Sequence, residues 1–162
     1  MDNKSARTMW NSFRVQNSQS ADCHDEEGVE AWAFGIGEEM ETALAELVIR
    51  GTKRATASSY NGLVTEGEPI PREGGYSIIL DGRGDARCII KTTNVFIAPL
   101  SSVTQEFALR EGEGDKSVEY WLEGHRTFFR DEHEQLGIPF YDEIPVVYEE
   151  FVVVWPPEVA DR

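Results

Sequence analysis

Three stretches of the chain place apolar side chains three and four residues apart, which is the spacing of one face of an α-helix. In the first stretch Ala6, Met9, Trp10 and Phe13 form an aromatic stripe whose simplest role is core packing. Two of the stretches stop at a glycine, a residue that favours the left-handed conformation in which many helices end. The pattern predicts helices over residues 4–15, 38–50 and 117–136, with Gly51 and Gly137 after the last two. Residues 102–105 look like a capping box, and they predict a fourth helix that runs to about Glu111 and is closed by Gly112.

Four shorter stretches are rich in apolar or β-branched residues and are typical of strands. They predict strands over residues 55–59, 76–80, 86–97 and 146–155, with loops over 16–28, 60–75 and 138–145. Strands and helices do not alternate regularly, which argues against a doubly wound parallel sheet. We expect an α+β fold of about five or six strands, a small and mainly antiparallel β-barrel flanked by helices. It should form one domain over residues 1–155, followed by a frayed tail over residues 156–162.

Charge and composition narrow the choice of partner. Thirty acidic residues against 15 basic ones give a formal net charge of −15, so duplex DNA is not expected to bind. A nucleoside, a nucleotide or a short single-stranded RNA in a local basic pocket is compatible with that charge. No apolar run is long enough to span a bilayer, and no membrane association is expected. The oligomeric state does not follow from the composition, and a homodimer is one of the states it allows.

The two cysteines, Cys23 and Cys88, do not form the dense pattern of a secreted disulfide scaffold. A reducing cytoplasm is therefore the expected location. Cys23 stands beside His24, but a metal site needs three or four ligands and no suitably spaced partners follow. We expect no metal and no other cofactor.

The joint between the second helix and the first strand, from Gly51 to Ser59, concentrates reactive side chains. A lysine withdrawn from water can act as a general base, which is a role open to Lys53, and the Thr56 hydroxyl could then serve as a nucleophile. Strand alternation would place residues three apart on opposite faces, so this pairing requires a turn through Lys53 or a bulge. The alternative is an exposed lysine beside a structural threonine.

Aromatic side chains supply candidate stacking surfaces. Trp32 and Phe34 lie among glycines in a predicted loop and could form a pocket wall or close the end of the core. Tyr60, beside the joint, and Trp121, on the last helical stripe, could stack on a base. His125 lies on that same stripe and could line a pocket, although a histidine on an apolar face is commonly a hydrogen-bonded core residue.

The joint resembles the signature of the ASCH domain family, which is a glycine, any residue, a lysine, two residues, a threonine or glutamate, one residue and usually an arginine. Gly51, Lys53 and Thr56 match the signature, and Ser58 stands where the arginine is common. The likeness to one branch of the family extends to residues 32–35, 106–108, 111–115, Trp121 and His125, and so spans most of the chain.

The resemblance implies a PUA-like fold with a cleft for a nucleoside or nucleic acid. One type of small ASCH protein is an amidohydrolase that removes the acetyl group of N(4)-acetylcytidine with a Lys, a Thr three residues later and a distant Glu. Lys53 and Thr56 match the first two groups, and Glu106 is the best match to the third. Substrate contacts are expected from Trp32, Phe34, Ser58, Ser59, Tyr60, Arg110, Trp121 and His125.

Two alternatives to the hydrolase stay open. One is a noncatalytic RNA- or nucleotide-binding module, which the PUA-like fold favours and the net charge opposes. The other is a metal-independent ribonuclease acting on single-stranded RNA, in which Lys53 would stabilise phosphate charge. Ser58 in place of the common arginine removes a bidentate anion-binding group, and this weakens the ribonuclease. Fold resemblance alone does not choose among the three.

Overall fold

The computed structural model describes residues 2–17 and 28–161. The predicted loop with Cys23 and His24 therefore lies largely outside the described residues. Within them the helices are α1 (Lys4–Gln16), α2 (Glu38–Ile49), α3 (Tyr60–Glu66), α4 (Gln105–Glu111) and α5 (Val118–Leu136). The strands are β1 (Glu30–Trp32), β2 (Ala55–Ser59), β3 (Tyr76–Leu80), β4 (Ala86–Pro99) and β5 (Pro145–Trp155).

The strands form one mixed sheet in the order β1-β3-β4-β5-β2. β1 runs parallel to β3, whereas β3 with β4 and β2 with β5 are antiparallel pairs. In the last of these pairs Ala55 lies opposite Glu150 and Thr56 opposite Glu149. The predicted α+β class with a mainly antiparallel sheet is confirmed. No helix among the described residues is both long and apolar enough to cross a membrane.

The chain divides into two compact units, and the first comprises Met1–Thr52, Gly74–Thr92 and Phe151–Arg162. α1 begins at the N-cap Asn3, whose side chain accepts a hydrogen bond from the Ala6 amide. Its aromatic face packs on the sheet, with Trp10 and Phe13 buried against Ile78 and Ile89. A second cluster joins α2 to the sheet through Phe34, Ala45, Val48, Ile79, Cys88, Ile90, Phe151 and Val153.

The second unit comprises Lys53–Glu73 and Thr93–Glu150. Its core lies between the sheet and helices α4 and α5, and it is rich in aromatic rings. Its buried members are Ala55, Leu100, Val103, Phe107, Ala108, Trp121, Phe129, Ile144, Val146 and Tyr148. α5 buries one face, and the apolar stripe predicted for this helix lies on that face and packs into this core.

Four expectations about local structure are wrong. The capping box at residues 102–105 does not form, because Thr104, and not Ser102, caps α4 by accepting from the Phe107 amide. Residues 60–66 form α3 instead of a loop, because the Ser59 hydroxyl caps the helix by accepting from the Gly62 amide and Gly67 ends it in the left-handed conformation. Trp32 ends strand β1 and does not lie in a loop. The segment after Trp155 is held and not frayed, since the amide of Asp161 donates to the Val153 carbonyl while its carboxylate accepts from the Val153 amide.

Candidate functional site

Lys53 is buried immediately before β2, with 1% of its surface exposed. The neighbouring backbone is fixed to the last turn of α4, where the Arg54 amide donates to the Arg110 carbonyl at 2.7 Å. The Lys53 Nζ donates to Glu113 Oε1 at 2.6 Å. The side chain of Lys53 is therefore surrounded by protein and not by water.

The segment after α4 folds so that Glu113 can reach Lys53. Gly112 ends α4 at φ 75°, and Gly114 follows at φ 54°, so the acid stands between two left-handed glycines. A Cβ on Gly114 would clash with the Tyr120 ring, and the positive φ also favours glycine there. Glu113 keeps 29% of its side chain exposed, so it faces Lys53 on one side and solvent on the other.

Glu111 is the second carboxylate of the site, and it is almost completely buried. Its Oε1 lies 3.0 Å from Nε2 of His125. Burial alone would raise the pKa of Glu111, but the hydrogen bond with His125 and the positive charge of Lys53 lower it on balance. Glu111 thus lies between the His125 ring, which it contacts, and the positive charge of Lys53.

Aromatic stacking positions the His125 ring. The ring lies flat on Trp121 at 3.8 Å between centroids, and Trp121 in turn stacks on Tyr148 at 5.9 Å. The Nδ1 of His125 is 2.8 Å from the Trp121 carbonyl one helical turn earlier.

The Tyr148 hydroxyl donates toward the carbonyls of Pro99 and Leu100. Burial, followed by the charges of Glu143 and Glu111, raises the pKa of Tyr148. These contacts hold Tyr148 in place beneath Trp121, the ring on which His125 stacks.

Thr56 and Ser58 lie on β2, both partly buried, where they oppose Glu149 and Val147. Alternation along the strand puts them on the face opposite to that of Ala55 and Ala57. Glu149, directly opposite Thr56, is a further buried carboxylate. Lys53 precedes β2, so strand alternation does not fix the direction of its side chain.

Glu106 lies on the first turn of α4 with 77% of its side chain exposed. Its Oε1 is 3.4 Å from Arg110 one turn later, and the Nε of Arg110 is 3.3 Å from Glu150. Glu150 also accepts from the Asn94 amide. Glu106, Arg110 and Glu150 thus form a network of ion pairs in the second unit. The predicted pairing of Glu106 with Lys53 stays a prediction.

The other predicted contact residues lie in different settings. Ser59 is buried and bonded to Nε2 of His133 at 2.7 Å, and Tyr60 is the partly buried first residue of α3. In the first unit Trp32 and Phe34 pack edge to face at 4.6 Å, and Phe34 stacks on Phe151. Their aromatic surface is thus largely used by the core of that unit.

Among the described residues, no three His, Cys, Asp or Glu side chains are grouped so that they could hold a metal ion.

Glu111 and Glu113 are the functional candidates that sequence reasoning did not single out. The run Glu-Gly-Glu-Gly at residues 111–114 was the available signal, because two glycines around an acid indicate a tight backbone turn that fixes that acid. The contact from Glu113 to Lys53 spans 60 residues of sequence, so no local pattern reveals it.

Comparison with known proteins shows which family the chain resembles in sequence and structure. A family model for the ASCH domain matches residues 30–155. The crystal structure of an ASCH domain from Lactobacillus crispatus is similar, with 30% identity over 94% of this chain and 96% of that chain and a TM-score of 0.82. A crystal structure of an Enterococcus faecalis protein is also similar, with 35% identity over 93% of this chain and 88% of that chain and a TM-score of 0.81. No protein of curated function matches the chain.

Proposed function

The chain belongs to the ASCH domain family, and from that premise we propose that it is a metal-independent hydrolase of an N-acylated nucleoside or base. An amide of the N(4)-acetylcytidine kind is the proposed substrate. Both RNA-binding and hydrolytic roles are compatible with the family, so the choice between them depends on the chemistry around Lys53.

Burial of Lys53 among carboxylates is the observation that favours a hydrolase. Lysines that bind RNA work by placing an exposed charge near a phosphate. Lys53 has 1% of its surface exposed, and Glu113 already occupies its ammonium group. A buried lysine with an acid that can accept its proton is better suited to proton transfer within a small pocket.

The proposed reaction uses Thr56 as nucleophile and Lys53 as base. Neutral Lys53 Nζ takes the hydroxyl proton while Thr56 Oγ1 adds to the acyl carbon. The tetrahedral intermediate then breaks its C–N bond, and the ammonium of Lys53 returns the proton to the exocyclic nitrogen that leaves. Water, deprotonated by the same amine, hydrolyses the threonyl ester, which releases the acid and frees Thr56.

Glu111 and Glu113 suit the carboxylate role in this reaction. Glu113 can hold the proton that Lys53 must release before it acts as a base, because the two groups share a 2.6 Å hydrogen bond. Glu111 provides the fixed negative charge that orients Lys53 and stabilises its ammonium form after proton transfer. Glu106 was predicted for this role from the resemblance and remains its rival.

The acidic surface supports a small substrate over a polymer. With a net charge of −15, the protein repels a long polyanion and places no such penalty on a neutral nucleoside. The reaction also needs no anion-binding group at position 58, where serine replaces the arginine common in the family. A nucleoside or free base is therefore the proposed form of the substrate.

The test compares release of acetate from N(4)-acetylcytidine for the wild type, Lys53→Met, Lys53→Arg and Thr56→Val. Each variant should lose at least about a hundredfold in turnover, because methionine and arginine cannot act as the base and valine has no hydroxyl. Lys4→Met, on the exposed face of α1, is the matched control and should keep wild-type turnover.

Cleavage and binding of a short single-stranded RNA are measured with the same proteins. RNA cleavage or binding that Lys53→Arg retains and Lys53→Met loses would replace the hydrolase with an RNA-directed role. Turnover retained by Thr56→Val would remove Thr56 as the nucleophile. Circular dichroism of each variant checks that lost turnover does not reflect lost folding.

A further inference from the structure

The contacts of His125 require a proton between its ring and Glu111. A backbone carbonyl can only accept, so Nδ1, at 2.8 Å from the Trp121 oxygen, must carry hydrogen. In a neutral ring with that tautomer, Nε2 would point a lone pair at Glu111 Oε1, 3.0 Å away. Two acceptors do not approach to hydrogen-bond distance without a hydrogen between them. The pair therefore holds one proton in addition to the Nδ1 hydrogen.

That proton changes the charge that Lys53 experiences. Glu113 contacts Lys53 directly, and Glu111 interacts with it through its charge. Two uncompensated carboxylates would hold the amine as an ammonium ion and prevent it from acting as a base. An imidazolium on the far side of Glu111 offsets part of the Glu111 charge that Lys53 experiences, and this leaves Glu113 as the main opposing charge.

We propose that His125 is a positioning residue that carries a compensating proton for Glu111 and thereby sets the protonation equilibrium of Lys53. The proposal rests on the hydrolase function only where it concerns turnover. The charge arrangement itself belongs to the free protein. His125 contacts no reacting atom in this scheme, and its effect passes through Glu111 to the amine.

The groups around the ring are consistent with a fixed imidazolium. Trp121 covers one face at 3.8 Å, and Phe129 meets the ring edge to face at 5.6 Å. The charged and titratable groups near the Glu111 end of the pair are Lys53, Glu113 and Tyr148. Tyr148 stays a neutral phenol because its pKa is raised, so Lys53 and Glu113 are the charged groups through which the pair acts.

The first test reads the ring directly by long-range 1H–15N NMR. The chain has three histidines, and His24→Gln removes one set of signals, so His125 and His133 can be assigned with little overlap. At pH 7 about three quarters of an unperturbed imidazole is neutral. We expect His125 to carry hydrogen on both ring nitrogens. A neutral Nδ1–H ring at position 125 would overturn the proposal, whatever the activity of the protein.

The second test follows the Lys53 amine. The chain has four lysines, Lys4, Lys53, Lys91 and Lys116, so Nζ signals can be assigned by substitution and titrated in the wild type and in His125→Gln. Without the imidazolium, Glu111 should retain the proton on Lys53 to a pH higher by about one unit. An unchanged Lys53 titration would contradict the proposal.

Activity supplies a third measurement. His125→Gln should lower turnover about tenfold at pH 7 and approach the wild-type rate at high pH, because the acidic limb of the profile moves by that one unit. An equal loss at every pH would indicate simple structural damage and overturn the proposal. Inactivity of the wild type on N(4)-acetylcytidine would count against the hydrolase alone, since both NMR results would still decide the role of His125.

Discussion

Two histidines on the same helix form two clusters of opposite character in the second unit. The Lys53 cluster consists of His125, Glu111, Lys53 and Glu113, and the Ser59 cluster consists of His133, Ser59 and Glu132. In both, Nδ1 is 2.8 Å from a backbone carbonyl, that of Trp121 or that of Pro139. Both rings are therefore anchored in the same tautomer at Nδ1.

The partner of Nε2 separates the two clusters. His125 faces the carboxylate of Glu111, which requires a proton between them, whereas His133 faces the Ser59 hydroxyl at 2.7 Å, which can donate its own hydrogen to a neutral ring. The Lys53 cluster reaches solvent, because its member Glu113 is partly exposed. In the Ser59 cluster the Ser59–His133 pair is closed to solvent, because His133 is fully buried and Ser59 is buried where it also caps α3. The same residue type thus meets a carboxylate in one place and a hydroxyl in the other.

The largest effect should come from the carboxylate that distinguishes the clusters. Glu111→Gln keeps the size of the side chain but removes its charge, so turnover on N(4)-acetylcytidine should fall at least about a hundredfold. Glu134→Gln, exposed on α5, is the control and should behave as the wild type. Glu106→Gln tests the rival acid and should cost much less. A loss for Glu106→Gln as large as that for Glu111→Gln would return the carboxylate role to Glu106.

Replacement of the structural histidine should affect stability instead of turnover. His133→Leu leaves the Ser59 hydroxyl and the Pro139 carbonyl without their buried partner, so we expect unfolding in urea to become easier by about 2 kcal/mol. Turnover per folded molecule should stay near that of the wild type, whereas His125→Gln should give the reverse pattern. A pH-dependent loss of turnover in folded His133→Leu would show that the two clusters do not divide their roles in this way.

Local signals predicted most of the secondary structure. The glycines after α2, α4 and α5 ended three of the predicted helices correctly, because a left-handed stop is decided within a few residues. α3 was missed because Tyr60-Asn61-Gly62 has weak helix propensity, and the cap from Ser59 and the packing of the helix outweigh that propensity.

The site was predictable only in part. The glycine-led signature identified Lys53, but its partners come from a turn 60 residues away, and tertiary contact alone selects Glu113. Similarly, the helical stripe marked His125 as lying on an apolar face without showing what its Nε2 would meet. His125 and His133 both lie on α5, and only the residues opposite them, Glu111 and Ser59, give the two rings different roles.

The smallest expected effect concerns the acid beside the Ser59 cluster. Burial, followed by the charge of Glu66, raises the pKa of Glu132 to about 7. An acid whose pKa is higher in the folded chain binds its proton more tightly there, so its contribution is complete below about pH 4.5 and is lost as pH rises to about 7. Because the side chain is only half-buried, the total loss should be below about 1 kcal/mol.

Glu132→Gln should remove this dependence, since its amide keeps the size of the side chain and is neutral at every pH in this range. Thermal melting between pH 5 and pH 8 is the measurement. The Gln variant should match the wild type near pH 5 and melt at a slightly higher temperature near pH 8. Glu134→Gln, two residues further along α5 and exposed, should follow the wild type throughout. A wild type that gains stability relative to Glu132→Gln between pH 5 and pH 8 would mean that Glu132 is charged in the folded protein. The Ser59 cluster would then hold an ionised group, and its contrast with the Lys53 cluster would be lost.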